Sequence, residues 1–162
     1  AVALTYDDKG HPLEWRSLGA DGQLKEAKNS GLAIVRWQVD PQGHVVEESH
    51  FAANEQLKAD RRLGVAIIRW QYDPDGNTVE ESYFGEDARP TLDRLRGVAT
   101  IRWQYGPSGR TIEESYLGSD GQLTGFGGGL PLIFMTAEAR AKARGQPQTD
   151  RLAIKRTRGG RS

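Results

Sequence analysis

Three tryptophans, Trp37, Trp70 and Trp103, stand thirty-three residues apart, each inside the same phrase. Ile34-Val35-Arg36-Trp37-Gln38 returns as Ile67-Ile68-Arg69-Trp70-Gln71 and again as Thr100-Ile101-Arg102-Trp103-Gln104. Ten residues beyond each tryptophan comes a Glu-Glu-Ser triplet, starting at Glu47, Glu80 and Glu113, and no insertion breaks the spacing. A fixed period of this length marks a repeat array, because one unit is too small to bury its apolar face except against its neighbours. The spacing predicts four units over residues 1–129, at about 1–30, 31–63, 64–96 and 97–129. The first is read by shifting the frame back by 33: Asp7, Gly10, His11 and Glu14 match Asp40, Gly43, His44 and Glu47, with Leu4 in the tryptophan position.

Within a unit the residues describe a β-hairpin. Val65 to Tyr72 is rich in β-branched and aromatic side chains, which favour a pleated strand. Asp73-Pro74-Asp75-Gly76-Asn77 follows as a turn, with proline fixing the first position and glycine free to take positive φ. Thr78 to Phe84 is the return strand. A second glycine-acidic turn comes next, clearest at Gly19-Ala20-Asp21-Gly22 and Gly118-Ser119-Asp120-Gly121. The expected fold is therefore all-β: tandem 33-residue antiparallel hairpins in an extended or coiled sheet.

If Asp73 and Asn77 close the loop, counting outward sets Trp70 opposite Glu80, Arg69 opposite Glu81, Ile68 opposite Ser82 and Ala66 opposite Phe84. Opposed residues share a face. This predicts a core side of Ala66, Ile68, Trp70, Tyr72 and Phe84, and a mixed side of Ile67, Arg69, Gln71, Val79, Glu81 and Tyr83. It also predicts ion pairs inside each hairpin: Arg36/Glu48, Arg69/Glu81 and Arg102/Glu114.

After Leu123 the pattern changes. Gly125 to Gly129 reads as a flexible break, and Leu130 to Met135 falls where a fifth leading strand would begin. Thr136 to Gly145 reads as a short helix, capped by Thr136, with basic residues in its last turn and Gly145 ending it. Residues 130–146 are thus expected to form a degenerate strand plus a C-terminal helical cap, and 147–162 a basic tail with a short strand at Leu152-Ala153-Ile154. The formal charge is zero, yet residues 138–162 hold eight basic and two acidic side chains, +6, which leaves −6 on the rest. A tail of that sign suits an acidic surface, its own or a partner's.

The phrases Leu4-Thr5-Tyr6-Asp7-Asp8-Lys9-Gly10-His11, Trp70-Gln71-Tyr72-Asp73-Pro74-Asp75-Gly76-Asn77 and Trp103-Gln104-Tyr105-Gly106-Pro107-Ser108-Gly109-Arg110 resemble the tyrosine-aspartate (YD) repeats of bacterial Rhs-type surface and toxin proteins. In that family an aromatic-x-Tyr-Asp-x-x-Gly phrase marks hairpins that build β-sheet shells. The resemblance covers about eight residues per unit; the units are also similar in spirit to the aromatic repeats of choline- and glucan-binding proteins and to MORN repeats. It implies a non-catalytic bacterial β-repeat protein, often part of a larger secreted or surface protein.

Chemistry that the residues could support is limited. With no cysteine there are no disulfides or thiolate zinc sites, and no apolar run reaches the roughly 20 residues of a membrane-spanning helix. Asp73-Pro74-Asp75-Gly76-Asn77 looks like part of a calcium loop, but the oxygens are lost in Asp40-Pro41-Gln42-Gly43-His44 and Gly106-Pro107-Ser108-Gly109-Arg110, so no metal or other cofactor is expected. Adjacent glutamates such as Glu80 and Glu81 point to opposite faces of a strand and cannot form the carboxylate pair of a glycosidase. His11, His44 and His50 have no metal-ligand spacing; His50 stands where Tyr83 and Tyr116 stand in later units. Acidic repeats argue against nucleic acid.

The remaining candidates are the aromatic and cationic rungs: Trp37, Trp70, Trp103, Tyr83, Tyr116, Arg36, Arg69 and Arg102. A tryptophan ladder at this spacing serves a core or stacks a ligand. The function expected is a non-catalytic module that binds a protein partner or a cell-surface glycan. The alternative is a structural spacer or shell segment of a larger secreted protein; a carbohydrate-active enzyme is the reading the residues favour least. Beginning at Ala1, inside a unit, fits either a processed secreted or cell-surface chain or a fragment, and the open strand edge there suits self-association.

Overall fold

The structure, a computed structural model, describes residues 1–124. They form eight antiparallel strands in one open meander sheet, each paired only with its neighbours in sequence. The strands are β1 (Val2–Tyr6), β2 (Pro12–Ser17), β3 (Ile34–Val39), β4 (Val45–Phe51), β5 (Ile67–Tyr72), β6 (Thr78–Phe84), β7 (Thr100–Tyr105) and β8 (Thr111–Leu117). No helix occurs among the described residues. The expected strand and helical cap over 130–146 and the basic tail over 147–162 lie outside them.

Each hairpin turn closes as its sequence suggests: the Asp73 amide donates to the Asn77 carbonyl at 2.9 Å, and Gly76, at φ +83°, donates to the Asp73 carbonyl. The Asp73 carboxylate accepts from the amides of Asp75 and Asn77 and holds the loop from inside. The register beyond the turn differs from simple counting. Tyr72 faces Thr78, but Gln71 faces Glu80, so Val79 is an extra residue in the return strand, a β-bulge. From there Trp70 pairs with Glu81, Arg69 with Ser82, Ile68 with Tyr83 and Ile67 with Phe84. The same one-residue shift recurs in the other three hairpins. Because side chains alternate with period two, it moves every return-strand residue beyond the bulge to the opposite face from the one expected.

The core is corrected accordingly. Ile68 and Trp70 keep the apolar side, but Tyr83 and Glu81 join them, whereas Phe84 passes to the side of Ile67 and Arg69. Val65, Ile68, Tyr83, Val98, Ile101 and Tyr116 form a buried cluster with Leu63, Trp70 and Trp103 packed against it. Burying a side chain of this size contributes about 1.5–3 kcal/mol. Val65 and Val98 belong to the connectors between hairpins, which supply the other half of each small core.

Those connectors are built alike. Asp60 accepts from the amides of Arg62, Leu63 and Val65, and Asp93 from those of Arg96 and Val98. Successive connectors are also tied to one another. The Arg61 and Arg94 amides donate to the carbonyls of Ser30 and Leu63, and their guanidiniums reach the carbonyls of Lys28 and Arg61.

Candidate functional site

The two faces of the sheet carry different chemistry. On one, the arginine rungs are joined between hairpins. Arg36 Nε meets Glu14 at 2.6 Å, Arg69 Nε meets Glu47 at 2.8 Å and Arg102 Nε meets Glu80 at 2.7 Å. The expected pairs within hairpins, Arg36/Glu48, Arg69/Glu81 and Arg102/Glu114, do not form, because the bulge sends the second glutamate of each doublet to the other face. The guanidiniums of Arg36 and Arg69 also lie over the rings of Phe51 and Phe84, at 4.7 and 4.6 Å. Gln38, Gln71 and Gln104 are exposed beside them. Strands about 4.8 Å apart, two per unit, place equivalent rungs roughly 10 Å from one another.

The opposite face holds the aromatic candidates. Trp37, Trp70 and Trp103 are half-buried, and the Trp37 indole donates to Glu48 at 2.7 Å. Tyr83 and Tyr116 are buried, 0% and 5% exposed, with hydroxyls donating to Glu81 at 2.7 Å and to Glu114 at 3.1 Å. Burial pushes the Tyr83 phenol far above its ordinary range, and the Glu81 bond adds to this. Arg96 covers that ring, its guanidinium 5.6 Å from the centroid and bonded to the hydroxyl.

In the second hairpin the same position is His50, 3% exposed. Its Nε2 lies 2.7 Å from Glu48 and its Nδ1 lies 2.9 Å from the Val65 carbonyl. Beside it opens a pocket of about 380 Å³, walled by Asn29, Ser30, Val35, Glu48, Asp60 and Arg62 among others. The repeat itself explains this space. Tyr83 becomes the shorter His50, Arg96 becomes Leu63, and Arg62 and Leu63 become Asn29 and Ser30 one unit back. Burial works against charge on both His50 and Glu48. Burial is the largest single influence on each, but their mutual hydrogen bond and opposite charges, together with the Val65 carbonyl and the Trp37 indole, outweigh it. The imidazole is held above its ordinary range and the carboxyl below.

Among the described residues no group of three or more histidines and carboxylates is placed to hold a metal ion. No protein-family model matches the chain, and no curated protein matches it.

The structure thus groups Arg36, Arg69 and Arg102 on one face and Trp37, Trp70, Trp103, Tyr83 and Tyr116 on the other. The glutamine row and the His50 pocket were not singled out from sequence. The signal for the glutamines was their fixed place after each tryptophan. For the pocket it was the break in period at His50, the one histidine replacing a tyrosine.

Proposed function

We propose that the chain is a non-catalytic binding module whose recognition surface is the Arg/Gln face of the sheet, and that its ligand is a protein surface bearing carboxylates and carbonyls. The observation that carries this reading is the row of arginines. Each is fixed through Nε by a glutamate of the preceding hairpin, and the side chains of Arg69 and Arg102 remain about half exposed. A guanidinium already held in place loses less side-chain freedom on binding, and its terminal nitrogens offer a planar pair of donors. The rungs repeat at a spacing that suits an extended partner. The half-buried indoles and buried tyrosines leave less ring surface for sugar stacking, which ranks a glycan second.

The alternative is a structural spacer or shell segment, and one set of contacts favours it. The tyrosine hydroxyls of Tyr72 and Tyr105 donate across hairpins to the carbonyls of Val45 and Thr78, both at 2.6 Å, so much of the repeated spacing serves the array itself. The YD-like phrases fit either reading.

A quantitative pull-down separates them. Wild-type chain and an Arg69→Ala/Arg102→Ala variant of unchanged melting temperature are compared on proteins from the same source. Binding of a defined partner that falls at least roughly ten-fold in the variant supports the Arg face. Partners retained equally by both would refute it, and tryptophan quenching by oligosaccharides without such partners would move the reading to glycan.

A further inference from the structure

We propose that His50 is a proton-operated latch, which ties the 60–65 connector to β4 while the imidazole is doubly protonated and releases it when one proton leaves. The geometry requires two protons. Nδ1 faces the Val65 carbonyl oxygen and Nε2 faces a Glu48 carboxylate oxygen, and neither partner can donate. A neutral imidazole carries one N–H and leaves one of these contacts without its hydrogen, inside a site where His50 is 3% exposed. A buried acceptor that loses its donor is destabilised, so the connector gains by moving away.

The neighbouring hairpins show what the latch replaces. Tyr83 and Tyr116 meet Glu81 and Glu114 with a hydroxyl that keeps its proton throughout the physiological range. Among the described residues only the second unit ties its connector through an imidazole, the side chain whose charge ordinarily changes closest to neutrality. The charged groups facing His50 are Glu48 from its own strand and Asp60 and Arg62 from the connector. The preceding connector contributes only the neutral Asn29, Ser30 and Leu32. The Glu48 carboxylate is charged in both states and holds the remaining N–H more strongly than a carbonyl does, so the contact that loses its hydrogen is the one to the Val65 carbonyl. The raised imidazole pKa sets the direction: the latch is closed below the ordinary histidine range and opens as pH rises through the folded value. Opening frees one wall of the adjoining pocket.

Amide hydrogen exchange tests this, with the next connector as internal control. After correction for intrinsic exchange, protection of the Lys58, Asp60, Gly64 and Val65 amides should fall roughly ten-fold between about pH 5 and about pH 9, while that of Thr91, Asp93, Gly97 and Val98 holds steady. In His50→Tyr, which installs the residue of the later units, the two connectors should behave alike. Equal pH dependence in both connectors of the wild type, or an undiminished difference in the variant, would overturn the proposal. Nitrogen-15 spectra of the wild-type imidazole give an independent reading: both ring nitrogens protonated in mild acid supports the latch, and an unprotonated one there refutes it.

Discussion

Four equivalent turns offer a calibrated stability experiment. The turn after each return strand places its fourth residue at positive φ. Gly22 and Gly121 lie at +75° and +76°, while Glu55 and Ala88 adopt +64° and +60° with side chains attached. The hydrogen bonds agree: the Ala88 amide donates to the Gly85 carbonyl at 3.0 Å, as the Gly121 amide does to Gly118 at 3.0 Å. A side chain in this region costs about 1–2 kcal/mol. Glycine recovers that strain but gives up roughly 0.5–1 kcal/mol through the greater freedom of the unfolded chain. Ala88 is exposed, so its methyl contributes little packing. Ala88→Gly should therefore stabilise by about 0.5–1 kcal/mol, which raises the Tm by about 1–4 °C in a chain of this size. The mirror change, Gly121→Ala, should destabilise by a similar amount for conformational reasons alone, since a Cβ there meets nothing within 4 Å. Differential scanning calorimetry of the two variants and the wild type reads both signs. A Tm lowered by Ala88→Gly, or unaffected by Gly121→Ala, would refute the assignment of strain to these turns.

Three further outcomes follow. Tyr72→Phe removes the 2.6 Å bond to the Val45 carbonyl and should lower stability by about 0.5–1.5 kcal/mol, read as a smaller urea midpoint at unchanged slope. Ile101→Ala, at a residue 1% exposed, should cost about 2–5 kcal/mol in the same assay. The Glu48 carboxyl is held below its ordinary range, so the stability it lends is present above that range and fades as pH falls through the folded value. Glu48→Gln should flatten that acid limb in thermal melts, and an unchanged limb would assign it to other carboxylates.

How far the fold could be read from sequence depends on which residues announce themselves. The turns did: proline and glycine at Pro74 and Gly76 constrain φ directly, and the eight strands lie where the apolar runs placed them. The bulge did not. Val79 is β-branched like any strand residue, and nothing in its chemistry declares that it has no partner across the hairpin. That single displacement misassigned Phe84 to the core and drew the arginine pairs inside the hairpin instead of between hairpins. Of the candidate site, the arginine row was visible as a periodic residue, but its exposure depended on the register. The His50 pocket depends on four substitutions from separate segments that converge only after folding, so the break in period at His50 marks one of them but not the space they leave.

The joints between units have a direction. Among the described residues every junction takes its carboxylate from the earlier hairpin and its guanidinium from the later one, and the second and third junctions also take a phenol from the later one, as in Glu47 with Arg69 and Tyr72 with Val45. Like a chain of plugs and sockets, the array can be shortened by one whole link without a mismatched coupling. Excising residues 64–96 would bring Arg102 to Glu47 and Tyr105 to the Val45 carbonyl. The number of hairpins is thereby separable from the ion pairs that join them.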